Sequence, residues 1–303
     1  MRWSICTPGT RISRRSSWPS TVPTIPPPRC HRPGPRQHRR PGRDAMFAEV
    51  LRHESRQRAV PTGVLGGTLA VFTFFGLAVS GSLGSALDSL TASMPEALTA
   101  FIGGDSPGGY VVGEIFTLMA PIALVAYGII AGAGLFAGEE REGTMAVLSA
   151  QPVTRRSLLL AKACSLLLSL VVIAGLFWGG MTVAALVFDS ELTAGALAAG
   201  STHLVMLALA FAAVALAVGA ATGRPELASG TAGGLAVISY LTSAMLPLAG
   251  LEQWARLSPW HYALGSDPLR NGIDLSHLGA FAAIIVVALV AGLVAVNRRD
   301  LKG

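Results

Sequence analysis

The sequence predicts an all-α membrane protein that crosses the bilayer six times, with both termini on the cytoplasmic side and short interfacial helices. Three observations lead to this prediction. Hydrophobic residues make up 51% of the 303 residues and charged residues only 13%, whereas soluble domains carry about 25% charged residues. The mean hydropathy is +0.55, and the apolar residues are gathered into six long runs. Lysine and arginine are concentrated in alternate connecting loops.

Each of the six apolar runs is long enough to span a bilayer. A helix needs about 20 residues, at about 1.5 Å per residue, to cross about 30 Å of hydrocarbon. The third run is long enough to tilt or to extend into the interface. The predicted spans are residues 60–81, 114–136, 158–188, 202–222, 228–248 and 278–296.

The beginning of the chain differs in composition from the rest. Residues 1–45 hold 10 of the 23 Lys and Arg residues and 9 of the 18 prolines, but a single acid, Asp44. Such a segment buries too little apolar surface to offset its ordering entropy, so we predict a disordered basic tail. We interpret residues 1–45 as upstream sequence that precedes a true start at Met46, the alternative being a basic cytoplasmic tail. Residues 46–303 form the predicted transmembrane domain, whose 13 basic and 16 acidic residues give no indication of a nucleic-acid partner.

A short helix is expected just before the first span. In residues 46–58, Phe47, Val50 and Leu51 cluster toward one side, and the arginines lie mostly toward the other. This pattern favours an amphipathic helix in the interface. A plain cytoplasmic cap is the alternative.

The distribution of lysine and arginine predicts the orientation, because these residues favour the cytoplasmic side of short loops. With both termini cytoplasmic and residues 1–45 left out, the inner segments hold 11 of them and the outer segments hold 2, Arg256 and Arg270. The inner set is Arg52, Arg56, Arg58, Arg141, Arg155, Arg156, Lys162, Arg224, Arg298, Arg299 and Lys302.

The loop between the second and third spans, residues 138–162, is the only strongly charged segment within the apolar body. Gly143 and Thr144 offer a helix start, because the threonine hydroxyl can accept a free backbone N–H. Gln151 and Pro152 then end the helix, since proline lacks the N–H and biases the preceding residue out of helical geometry. We therefore predict a short helix over residues 144–150 at the cytoplasmic membrane surface.

The order of residues in this loop resembles that in ATP-binding-cassette transporter permeases of the type-2 export class. The resemblance rests on Glu142, Gly143, Thr144, Leu148, Ser149, Pro152, Val153, Thr154, Arg155 and Lys162. Ala146 stands where the family often has an acidic residue.

The resemblance implies that the short helix docks on a separate ATPase. The implied partners are two ATPase subunits, which bind ATP and magnesium, and a second permease copy, in a bacterial-type plasma membrane. This chain would bind no cofactor of its own. The implied coupling residues are Glu139, Glu140, Glu142, Gly143, Thr144, Leu148, Ser149, Pro152 and Arg155.

The last outer loop, residues 251–277, is rich in aromatic and turn-forming residues. Trp254, Trp260 and Tyr262 suit the boundary between water and lipid. Ser258 with Pro259 can start a short helix, and Asp267 before Pro268 signals a turn. The order of Ser258, Pro259, Trp260, Tyr262, Pro268, Leu269 and Gly272 is similar to that in the same permeases.

Composition and motifs also disfavour other functions. The middles of the spans carry no charge, whereas ion-driven carriers usually accept the cost of charged relays there. The sequence contains no G-x-x-x-x-G-K-[ST] motif and no H-E-x-x-H motif, so neither a phosphate-binding loop nor a zinc site is predicted. Ser229 and His203 are predicted at opposite membrane faces, too far apart to form a nucleophile–base pair. The sequence therefore predicts a transport subunit without catalytic residues, the alternative being a membrane scaffold or assembly protein.

Overall fold

The computed structural model describes residues 43–91, 93–94, 109–141 and 155–298, and in these ranges every regular element is helical. The elements are α1 (Arg43–Thr91), α2 (Gly109–Glu114), a π-helical segment (Ile115–Met119), α3 (Ala120–Arg141), α4 (Arg155–Val187), α5 (Ala194–Thr222), α6 (Pro225–Leu248), α7 (Glu252–Ala255), α8 (Pro259–Leu264), α9 (Pro268–Asn271) and α10 (Leu275–Arg298).

The six predicted spans are confirmed as six helices long and apolar enough to cross a membrane. The fourth span begins earlier than predicted, at Ala194 rather than residue 202. Its start is set by Thr193, whose side chain accepts the backbone N–H of Ala196 at 3.2 Å. The alanine-rich stretch that follows has high intrinsic helix propensity, so the helix continues into the span without a break.

Residues 46–58 are helical, as predicted, but they are continuous with the first span. Helix α1 runs through Pro61 without interruption for 49 residues. Its first turns are held against the bundle, because Val50 packs on the apolar core and Glu54 is buried. Tertiary contacts therefore join the amphipathic segment and the span into one helix.

Helix α5 lies at the centre of the bundle and contacts α3, α4, α6 and α10. In α5, 72% of the apolar stretch is buried, against 11% in α6 and 22% in α10. Helix α1 packs along α4. Thr62 of α1 and Tyr127 of α3 also share a hydrogen bond between their hydroxyls, 2.8 Å long.

Small residues permit the closest helix approaches. Gly128 of α3 faces Ala208 of α5, and Gly180 of α4 faces Ala70 of α1. Such contacts replace the hydrophobic driving force that is missing between helices in lipid. Gly175 and Gly179 of α4, by contrast, face open space in this chain.

Candidate functional site

The predicted coupling residues lie mostly outside the described part of the chain. Helix α3 ends at Arg141 and helix α4 begins at Arg155. Glu139 and Glu140 belong to the last turns of α3, where Glu140 is half-buried. The predicted helix over residues 144–150, with Glu142, Gly143, Thr144, Leu148, Ser149 and Pro152, lies outside the described residues, as do residues 1–42.

The end of α3, just before this loop, is joined to α6 by an exposed ion pair. Arg141, the last residue of α3, donates a hydrogen bond to the Glu226 carboxylate at the start of α6. Both side chains are exposed, at 66% and 67% of their surface. An exposed pair is screened by solvent, so it contributes about 0–1 kcal/mol to stability.

The second flank is tied to α1 by a buried ion pair. Lys162, two turns into α4, donates from Nζ to Oε1 of Glu54 at 2.6 Å. These side chains are only 1% and 5% exposed. The second carboxylate oxygen of Glu54 accepts from Nη2 of Arg58 at 3.0 Å. Each oxygen of the Glu54 carboxylate therefore accepts a hydrogen bond from one cation, Oε1 from Lys162 and Oε2 from Arg58.

Lys162 belongs to the motif identified in the sequence, but the role of Glu54 was missed. A signal was present, because Glu54 lies at helical spacing from the buried Thr62, Leu69, Thr73 and Leu77 of α1. Since positions three or four apart share one helix face, this stripe places Glu54 on the side of α1 that is buried. The sequence predicts residues 46–58 as an element separate from the first span, and such a separation gives no common helix face to Glu54 and the buried residues of the span.

The segment over residues 251–277 is folded against α5, α6 and α10. As predicted, Ser258 and Pro259 start a helix: Oγ of Ser258 accepts the backbone N–H of Trp260 at 3.2 Å. The same hydroxyl donates to the carbonyl of Ser239 in α6 at 2.6 Å. Pro268 is buried at the start of α9 and follows Asp267, whose φ of 46° is left-handed.

The two tryptophans of this loop differ sharply in exposure. Trp254 is 53% exposed, which suits a boundary position, but Trp260 is only 2% exposed. Trp260 therefore does not have the partly exposed ring that the predicted position at the boundary between water and lipid implies. Its ring packs edge-on against Tyr240 with centroids 5.0 Å apart, and its Nε1 donates to the carbonyl of Ala236 at 3.2 Å. The polar edge of the indole is satisfied inside the protein, so it needs no water.

Tyr262 is half-buried in a small aromatic cluster. Its ring lies 5.2 Å from that of His277 and 6.3 Å from that of Phe281 in α10. His277 donates from Nδ1 to the backbone carbonyl of Tyr262 at 3.1 Å, because a carbonyl can only accept. Tyr262 thus helps to fix the loop on the start of α10.

A cleft of about 520 Å³ lies beside this cluster, and Arg256, His261 and Asp274 are among its lining residues. Burial lowers the pKa of His261, and the neighbouring His277 and Arg256 lower it further. His261 therefore stays uncharged to lower pH than an ordinary histidine. The cleft presents imidazole, guanidinium and carboxylate groups at the end of the bundle.

The arrangement offers no nucleophile–base pair from Ser229 and His203. The hydroxyl of Ser229 donates within its own helix to the carbonyl of Pro225 at 2.9 Å. His203 is fully buried, and its Nδ1 donates to the carbonyl of Ala199 at 3.0 Å. Within the described ranges, no group of three or more His, Cys, Asp or Glu side chains is placed to hold a metal ion.

Comparison with protein families finds one model that covers most of the chain. Residues 48–301 match the family described as ABC-2 family transporter protein. The matched region includes the apolar stretches of all six helices, except for Phe47 at the start of the stretch in α1. No curated protein matches the chain.

Proposed function

This chain belongs to the ABC-2 transporter family, and we propose that it is a permease subunit whose transport is driven by ATP hydrolysed on a separate ATPase. The observation that carries the proposal is the match over residues 48–301, which coincides with six apolar helices. The transported substrate is moved through or along these helices. Their mostly uncharged interiors favour an apolar or amphipathic cargo.

The proposed orientation puts both termini and the loop over residues 138–162 in the cytoplasm of a bacterial-type cell, beneath the plasma membrane. The support is the excess of lysine and arginine in the inner segments, 11 against 2. In this orientation the ends of α3 and α4 that flank the loop face the compartment that contains ATP. The proposed assembly contains two ATPase subunits and a second permease copy.

The proposed contact with the ATPase is made by residues 139–155, centred on Glu142 and Thr144. ATP-driven closure of the two ATPases would push this loop and rock the helices. This chain contributes no group to the hydrolysis of ATP. Its part is to dock the ATPase and to move with it.

The docking can be tested by replacing Glu142 and Thr144 with arginine in the tagged full chain, co-expressed with a candidate ATP-binding-cassette ATPase subunit. We expect the variant to insert normally but to lose the co-purified ATPase and the ATP hydrolysis of the complex. The matched control is Glu191→Arg in the outer loop between α4 and α5, where Glu191 is exposed. This control makes the same glutamate-to-arginine change as Glu142→Arg and should retain the ATPase.

Two results would contradict the proposal. The loop variant could retain the ATPase and its activity in full, which would disprove the docking assignment. Alternatively, the unaltered chain could bind no ATPase, which would favour a membrane scaffold.

A cysteine placed at Ser149 should react with an impermeant maleimide only after the membrane is opened, whereas one at Glu191 should react in intact cells.

A further inference from the structure

Both flanks of the charged loop are fastened to other helices on the same side of the bundle. Arg141, before the loop, pairs with Glu226 of α6, and Lys162, after it, pairs with Glu54 of α1. The two attachments differ in their surroundings, because the first is exposed and the second is buried.

The exposed pair can open at little cost. When Arg141 and Glu226 separate, water solvates both charges, so their loss of mutual attraction is largely compensated. The buried pair cannot open in this way. Separating Lys162 from Glu54 is more unfavourable, because both side chains are almost fully buried and little water could solvate the separated charges.

A buried ion pair adds little to stability compared with apolar residues of similar size. Its effect here is on position. The carboxylate of Glu54 is held through one oxygen by Lys162 and through the other by Arg58, so it cannot rotate away from α4. The pair therefore fixes the register of the first turns of α1 against the first turns of α4.

We propose that Glu54 and Lys162 are positioning residues that make α1 follow α4 when the ATPase moves the loop. This inference rests on the proposed function and adds to it the route of the movement. Helices α1 and α4 move together, whereas the exposed ion pair between Arg141 of α3 and Glu226 of α6 opens. Arg58 supports the unit by holding the second oxygen of Glu54.

The test measures distances between spin labels in the complex of the full chain with its ATPase, before and after ATP and vanadate are added. Cys164 is exposed on α4 and can be labelled directly. Exposed positions Ala48 of α1 and Leu227 of α6 are changed to cysteine as the second and third sites, and Cys6 and Cys30 are changed to serine. Labels are introduced two at a time.

In the otherwise unaltered complex we expect the distances from α1 and from α4 to the α6 label to shift together, while the α1–α4 distance stays constant. The triple variant Glu54→Met, Arg58→Met and Lys162→Met removes all three charges of the cluster, so it leaves none of them without its partner. It should fold and unfold at a temperature similar to the parent. We expect it to lose the constant α1–α4 distance, so that α4 still shifts but α1 follows incompletely.

Two controls separate positioning from general damage. Lys162→Arg retains the cation and should keep the joint shift. Arg141→Gln with Glu226→Gln removes the exposed pair and should also leave the joint shift unchanged. A lower unfolding temperature with a constant α1–α4 distance would indicate only a structural role for the buried pair.

The inference is overturned if the Met triple variant keeps the joint shift, or if α1 stays still in the parent complex while α4 moves. These results would leave the proposed function intact, because the ATPase is still bound. Failure of the unaltered chain to retain the ATPase would disprove the proposed function, and this inference with it.

Discussion

Gly132 of α3 lies so close to the backbone carbonyl of Ala212 in α5 that a β-carbon at this position would overlap the carbonyl oxygen. The overlapped atom belongs to the backbone of the central helix, so it cannot turn away as the end of a long side chain can. The contact between α3 and α5 therefore depends on the absence of a single methyl group.

Gly132→Ala is expected to destabilise the protein by about 1–3 kcal/mol, because the added methyl group forces α3 and α5 apart. Gly134→Ala is the matched control in the same helix, since a β-carbon there meets nothing within 4 Å. The control should be neutral or slightly stabilising, because alanine favours the helix over glycine. Thermal unfolding of the purified proteins in detergent measures the difference. Equal unfolding temperatures for the two variants would show that the helices adjust freely.

Trp260→Ala should cost about 3–5 kcal/mol, as expected for removal of a large buried aromatic side chain. Trp254→Ala is the control, because Trp254 is 53% exposed and Trp260 only 2%. It should change the stability by at most about 0.5 kcal/mol. Trp260→Phe keeps a ring but loses the hydrogen bond to Ala236, so we expect an intermediate effect of about 1 kcal/mol. The order of unfolding temperatures tests these statements, and a Trp254 variant as unstable as the Trp260→Ala variant would contradict them.

Asp274 is expected to make the stability of the α10 start depend on pH. Its Oδ1 accepts the Ser276 hydroxyl at 2.6 Å and the Ser276 and His277 backbone N–H groups at 2.8 and 3.3 Å. The hydroxyl of Ser276 and the backbone N–H of His277 are the main causes that lower the pKa of Asp274. Because the folded state favours the carboxylate, this stabilisation is present above the ordinary pKa of about 4 and is lost as pH falls through the lowered value.

Comparison of the unaltered chain with Asp274→Asn isolates this effect. Asparagine can still accept the backbone N–H bonds but does not titrate. The difference in unfolding temperature between the two proteins should be constant above about pH 5 and shrink as the pH falls below about 4. A difference that does not change over this range would show that the charge of Asp274 contributes nothing to the cap.

The six spans could be predicted because length and apolar content are properties of a contiguous stretch of sequence. The start of α8 at Ser258 and Pro259 could be predicted for the same reason, since a cap is formed by residues two or three positions apart. The exposure of Trp260 could not. Its burial depends on Ala236 and Tyr240, which belong to another helix and are more than 15 residues away in the chain.

By itself, the sequence determined the fold class, the positions of the spans and the motif that relates the charged loop to a transporter family, because these follow from local composition and spacing. Only the tertiary structure decided that Glu54 is buried against Lys162, that α1 continues through Pro61 and that α5 occupies the centre. The reason is physical: burial of a charge or a small residue is set by which helix faces it, and residues 108 positions apart in the chain, as Glu54 and Lys162 are, meet only when the bundle is assembled.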